Sequence, residues 1–87
     1  MADGGLLARV MVTPKRGILD PQGKAVQQSL HALGFPEVGD VRVGKFVELK
    51  LREVDRAAAE TRVRAMCEQL LANGVIEDFR IEIVEGT

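Results

Sequence analysis

The chain has 87 residues, of which 46% are hydrophobic and 29% are charged, and its formal net charge is −1. This length indicates a single domain over residues 1–87, and the balanced charge argues against nucleic-acid or membrane binding, which usually requires a positive excess. The single cysteine, Cys67, excludes an intrachain disulfide framework and favours the reducing cytoplasm. Residues 1–5 are expected to be loose, and no apolar run approaches the roughly 20 residues of a membrane span.

The first half of the chain predicts a strand followed by a helix. Apolar and polar residues alternate from Leu7 to Thr13, which is typical of a strand with one buried face. A helix is predicted from Pro21 to Leu33, because Asp20 has the side chain of a good N-cap and Gly34 fits the left-handed position that ends many helices. The apolar positions of this helix are Val26, Leu30 and Leu33.

The middle of the chain, residues 38–52, leaves two arrangements open. In one, a three-residue loop of Gly44, Lys45 and Phe46 joins two short strands, and in the other a single long strand continues through a kink at Gly44. The apolar alternation favours the long strand, which at about 3.3 Å per residue extends well beyond the usual strand length. Because one small domain cannot bury the whole apolar face of such a strand, we predict that a second subunit completes it.

The second half predicts another helix and a last strand. Asp55 is a candidate N-cap, Asn73 and Gly74 are expected to end the helix in a left-handed conformation, and residues 79–83 alternate as a strand does. The order β-α-β(β)-α-β predicts an α+β two-layer sandwich, with an antiparallel sheet, two helices on one face and a long central strand completed in a dimer. The apolar stripe of the second helix is formed by Val63, Met66, Cys67, Leu70 and Leu71.

Residues that carry chemistry are few and scattered in the sequence. His31 is predicted to be a partly exposed helix residue and Cys67 a buried core thiol, and their spacing does not suit a metal site. Phosphate-binding glycine motifs and nucleophilic serine motifs are absent, and most carboxylates fall on expected solvated faces. The residues alone therefore favour a binding or assembly module over an enzyme with its own catalytic site.

The connector before the first helix is the most unusual segment. Lys15 and Arg16 precede a helix N-terminus, where an anionic group could bind, but as an isolated feature they are better interpreted as a solvated charge pair. Gly44 and Lys45 are the second place in the sequence where a positively charged residue follows a conformationally free glycine. Lys45 falls on the apolar parity of its segment, which predicts either a side chain whose stem lies along the apolar surface with its charge in water, or a contact across a subunit boundary.

The same connector carries a family resemblance. The run from Pro14 to Val26 reads Pro-Lys-Arg-Gly-Ile-Leu-Asp-Pro-Gln-Gly-Lys-Ala-Val and resembles the signature of PurS, the small subunit of phosphoribosylformylglycinamidine (FGAM) synthase. Two positions depart from the family pattern, since Gly74 stands where proline is frequent and Phe79 where tyrosine is frequent. The resemblance continues through residues 33–35, 41–45, 67–73 and 75–79.

The resemblance implies a non-catalytic subunit of FGAM synthase in de novo purine biosynthesis. Such a subunit bridges the glutaminase and the ATP-dependent synthetase subunits, supports the transfer of glutamine-derived ammonia, and forms a homodimer or tetramer. It implies no cofactor or metal in this chain, with ATP and magnesium on the large subunit. The alternative is a ferredoxin-like regulatory module that binds a small molecule. The candidate partner-binding residues are Lys15, Arg16, Gly17, Asp20, Gln22, Arg42, Gly44 and Lys45.

Overall fold

A computed structural model describes residues 5–52 and 55–85, so the loose start predicted for residues 1–5 lies almost entirely outside the described part. The chain forms a three-stranded antiparallel sheet and two helices, which confirms the predicted α+β class. The elements in chain order are strand β1 (Leu6–Pro14), helix α1 (Pro21–Ala32), strand β2 (Lys45–Leu51), helix α2 (Arg56–Met66), a π-helical turn (Cys67–Leu71) and strand β3 (Glu77–Glu85).

Strand β1 occupies the centre of the sheet, with β2 and β3 as its antiparallel neighbours. Its even-numbered residues from 6 to 12 are buried, because they all point to the face that carries α2. The register places Val47 and Ile81 on either side of Val10, so that apolar side chains from all three strands meet on this face. The chain has no tryptophan or tyrosine, and this core is accordingly built from small aliphatic side chains.

Helix α2 packs on β1 and β3 and then changes its pitch. Val63 and Cys67 are fully buried, but the turn Cys67–Leu71 is π-helical and closes with a backbone hydrogen bond of 3.0 Å. A π turn contains more residues than an α turn and therefore shifts the phase of the apolar stripe. Leu70 is consequently 81% exposed whereas Leu71 packs on the core, so the prediction that Leu70 belongs to the stripe is wrong.

The chain leaves the π turn differently from the prediction. Neither Asn73 nor Gly74 has a positive φ, and the predicted left-handed stop is therefore wrong. Ala72 is extended instead, with φ −134°, and the side-chain oxygen of Asn73 accepts the N–H of Val75 at 3.0 Å. Asparagine thus turns the chain through its side chain rather than through its backbone conformation.

Helix α1 begins and ends as the sequence indicates. Asp20 is its N-cap and Pro21 its first residue. At the other end Gly34 has φ 101°, and the N–H of Phe35 donates to the carbonyl of Leu30 at 3.0 Å, as in a Schellman motif. Within the described residues α1 has far fewer contacts with the strands than α2 has, and the molecule is elongated, measuring 48 × 28 × 16 Å.

Residues 38–52 contain one strand and no hairpin. The hairpin alternative is therefore wrong, and so is the favoured long strand through Gly44, because β2 covers only Lys45–Leu51 and lies at an edge of the sheet. Residues 41–44 precede the ladder and run beside the start of α1, where the N–H of Val43 donates to Asp20. The strand is shorter than predicted because this helix contact takes the place of strand pairing.

Separate alanine substitutions of Leu70 and Leu71 test the π turn. We expect Leu71→Ala to lower the free energy of unfolding by about 2 kcal/mol, because Leu71 packs on the core, and Leu70→Ala to change it by less than about 0.5 kcal/mol. Urea unfolding of both variants at one protein concentration measures the difference. Equal losses in the two variants would place Leu70 in the core and contradict this geometry.

Candidate functional site

Several chain segments converge at one end of the sheet. Strand β1 ends there and both of its neighbours begin there, because the strands are antiparallel. Helix α1 starts at this end, and α2 with its π turn finishes at it, just before β3. We call this region the loop end, and it comprises residues 15–20, 41–45 and 70–78.

The carboxylate of Asp20 joins the start of α1 to the entry of β2. Its Oδ1 accepts the N–H of Gly23 at 3.0 Å, and its Oδ2 accepts the N–H of Val43 at 2.9 Å. The bond from Val43, followed by the bond from Gly23, lowers the pKa of Asp20 below the ordinary value of 3.8. Both oxygens are thus bonded within the chain, and we assign Asp20 the role of holding the loop end in shape.

Two glycines allow the backbone to pass closely here. A Cβ atom on Gly23 would fall on the carbonyl oxygen of Val41, and one on Gly44 would fall on the carbonyl oxygen of Val12. Any side chain at either position would therefore displace a neighbouring backbone. Gly44 is predicted from the sequence as a special position, whereas the sequence gives no sign of the close approach at Gly23.

One face of α1 is attached to the returning chain by polar side chains. Gln27 Nε2 donates to the carbonyl of Gly39 at 2.7 Å, and His31 Nε2 lies 2.7 Å from the carbonyl oxygen of Val38. Together with Asp20 these residues follow helical spacing and lie along one side of α1. The sequence analysis does not predict this row of contacts, although the helical spacing of these polar residues indicates that they share one face. His31 is exposed, as predicted.

Lys15 and Arg42 attach the loop end to the neighbouring strands. Lys15 Nζ lies 2.8 Å from Oδ1 of Asp78, and the backbone N–H of Lys15 donates to the carbonyl of Ile76 at 2.9 Å. Arg42 Nη1 donates to the carbonyl of Pro14 at 2.9 Å. The ion pair of Lys15 with Asp78 is solvent-exposed and contributes little stability. The guanidinium of Arg42 has no carboxylate partner among residues 5–52 and 55–85.

The other candidate residues are open to solvent. Gly17 has φ 84° in an exposed turn, and Gln22 is exposed in the first turn of α1. Arg16 and Lys45 are exposed, and neither pairs with a carboxylate among residues 5–52 and 55–85. The structure thus brings the predicted residues to one end of the molecule and divides them into residues that hold its shape and residues that present charge.

Titratable side chains are dispersed in the described part of the chain. No group of three or more His, Cys, Asp or Glu residues there is arranged to hold a metal ion. Cys67 is free and buried, as predicted, and burial raises the pKa of its thiol, which favours the protonated form. None of the helices described is long and apolar enough to cross a membrane.

Comparison with known proteins identifies the family. The sequence model of the PurS family, phosphoribosylformylglycinamidine (FGAM) synthase, matches residues 7–85. The chain belongs to the PurS family. The PurS subunit of phosphoribosylformylglycinamidine synthase from Bacillus subtilis is 51% identical over 77 residues, which are 88% of this chain and 90% of that protein. The resemblance inferred from the connector is therefore confirmed.

Solved PurS structures have the same fold. Bacillus subtilis PurS in its C2 crystal form superposes with a TM-score of 0.79 at 49% identity, covering 90% of this chain and 96% of that one. A chain of the PurLQS structure from Thermotoga maritima superposes with a TM-score of 0.79 at 25% identity, covering 91% of this chain and 98% of that one. The sheet and helices described above are thus those of the PurS family.

Replacement of Asp20 in this PurS chain tests its two hydrogen bonds. We expect the melting temperature to fall in the order wild type, Asp20→Asn, Asp20→Ala, because the amide cannot accept both N–H groups with a charged oxygen and alanine can accept neither. Thermal unfolding monitored by circular dichroism measures this order.

The same variants predict a pH dependence. Because the pKa of Asp20 is lowered in the folded chain, its stabilisation is complete above the ordinary value of 3.8 and is lost as the pH falls through the folded value. The difference in melting temperature between wild type and Asp20→Asn should therefore shrink on acidification. An undiminished difference at a pH of about 2 would show that the carboxylate charge is irrelevant.

Proposed function

We propose that this PurS chain is the small, non-catalytic subunit of FGAM synthase and acts in de novo purine biosynthesis. It bridges the glutaminase subunit and the ATP-dependent synthetase subunit and supports the transfer of glutamine-derived ammonia between them. The observation that carries the proposal is the similarity to a chain of the Thermotoga maritima PurLQS structure over 91% of this chain and 98% of that one. The similarity extends over nearly all of both chains, which favours a shared role in the assembly.

The loop end is the surface that we assign to partner contact. Arg16 and Lys45 have no carboxylate partner among the described residues, and Lys15, next to Arg16 in the chain, forms an exposed ion pair. Asp20 holds the backbone of this surface through two hydrogen bonds, so little order has to be gained on binding. These three cations contact acidic groups of the larger subunits.

We further propose that the chain forms a homo-oligomer, either a dimer or a tetramer. Within the described residues both edge strands have only partly buried apolar residues, and on β2 these are Val47, Leu49 and Leu51. On α1, Val26 is 38% exposed and Leu33 is 72% exposed. A second copy that covers these side chains supplies burial that a domain of this size lacks alone.

The chemistry and its cofactors are assigned to the complex. ATP and magnesium act on the large subunit, where the ligase reaction takes place, and this chain supports the reaction by assembly. The cytoplasm is the proposed compartment, which the single free and buried cysteine favours because it needs no oxidising environment.

Reconstitution tests the bridging role. The large and glutaminase subunits are assayed for FGAM formation with glutamine or with ammonia, in the presence and absence of this chain. We expect the chain to be required with glutamine and to matter much less with ammonia, because added ammonia makes transfer between subunits unnecessary. Equal glutamine-dependent activity without the chain would overturn the proposal.

Charge reversal tests the assignment of the loop end. We expect the triple variant Lys15→Glu, Arg16→Glu and Lys45→Glu to need a much higher concentration for half-maximal glutamine-dependent synthesis, because acidic partner groups would then repel it. Its melting temperature should stay near that of wild type, since all three side chains are solvent-accessible. Lys24→Glu, at an exposed cation within α1, is the matched control. Unchanged activity of the triple variant would contradict the assignment.

A further inference from the structure

The loop end also carries the most exposed large apolar side chains of the described residues. Leu19 is 83% exposed, Leu70 is 81% exposed and Val75 is 80% exposed. Leu70 reaches the surface because of the π turn, and Val75 follows the Asn73 turn. None of these three residues is among the sequence-predicted contacts, and they lie next to segments that carry the exposed cations.

The loops that carry these side chains are joined and internally ordered. The backbone N–H of Lys15 donates to the carbonyl of Ile76 at 2.9 Å, which connects the loop after β1 to the loop before β3. Within the second loop, Asn73 accepts the N–H of Val75 on its side chain, and its own N–H donates to Oε1 of Glu77 at 2.8 Å. A partner therefore meets a preformed surface, which reduces the entropy that binding must overcome.

Cations outnumber carboxylates at this surface. The loop end holds four cations and three carboxylates, namely Lys15, Arg16, Arg42 and Lys45 with Asp20, Glu77 and Asp78, and among the described residues the ion pair within this set is that of Lys15 with Asp78. Arg16 and Lys45 have no carboxylate partner among the described residues. Exposed apolar side chains thus lie at the same end of the sheet as cations that remain available to another molecule.

We infer that Leu19, Leu70 and Val75 are the apolar part of the docking surface, and that the partner offers a protein segment with an apolar side chain surrounded by carboxylates. This inference rests on the proposed function and names the partner's chemistry at the same surface. A second copy of the chain fits less well, because a two-fold contact through this end brings its cations against their own copies. In such a contact the partner's carboxylates pair with Arg16 and Lys45, and its apolar side chain covers Leu19, Leu70 and Val75.

Two opposite charges at one position test both parts of the inference. Val75→Asp and Val75→Lys remove the same apolar side chain and leave the folded chain unstrained, since Val75 is 80% exposed. With the large and glutaminase subunits present, we expect Val75→Asp to raise the concentration for half-maximal glutamine-dependent synthesis at least about tenfold. Val75→Lys should raise it much less, because its charge suits a carboxylate-lined partner. The melting temperature and sedimentation of the free chain should not change.

The outcomes separate this inference from the function on which it rests. If wild type restores glutamine-dependent synthesis and both variants match it, the apolar contact is overturned while the proposed function stands. If both variants are equally impaired, the acidic partner is overturned. A changed sedimentation coefficient of free Val75→Asp would assign the surface to a second copy instead. If wild type itself fails to restore synthesis, the proposed function fails and this inference fails with it.

Discussion

The two hydrogen bonds of the Asp20 carboxylate determine how helix α1 is placed against the rest of the molecule. A capping side chain ordinarily satisfies one donor of its own helix. Here the second oxygen accepts the N–H of Val43, 23 residues further along the chain, and so connects the helix start to the approach of β2. Because α1 has few contacts with the strands, this charged acceptor gives the helix its main attachment near the sheet.

Of the two helices in the described part of the chain, α2 has the more extensive contacts with the sheet. The core consists of small aliphatic side chains from β1 with Val63 of α2 and Cys67 of the π turn, and the apolar residues of both edge strands are only partly buried against it. Apolar side chains of the edge strands and of α1 therefore remain partly accessible, which fits the proposed association with other subunits. The architecture and the proposed assembly role have the same origin in this incomplete coverage.

The sequence predicts the parts of the fold that depend on short-range physics. Strand alternation in β1 and β3, the caps at Asp20 and Asp55 and the glycine end of α1 all follow from neighbouring residues. Leu70 and residues 41–44 are predicted wrongly, because a π turn and a helix contact decided by tertiary structure override the local pattern. The site divides in the same way. The cations Lys15 and Arg16 can be identified from the connector sequence. The hydrogen bond between Asp20 and Val43 and the exposure of Val75 cannot, because they depend on how distant segments fold.

Because of the π turn, whether Leu70 is exposed or buried depends on the number of residues in the turn as well as on the residue type. An α-helical turn in place of Cys67–Leu71 would carry Leu70 along the apolar stripe, as the uninterrupted spacing predicts. Insertion or deletion of a single residue here would therefore exchange a surface side chain for a core side chain without altering any amino acid that contacts a partner. Among related subunits, a change of one residue in the length of this helix end could therefore create or remove a contact with a partner.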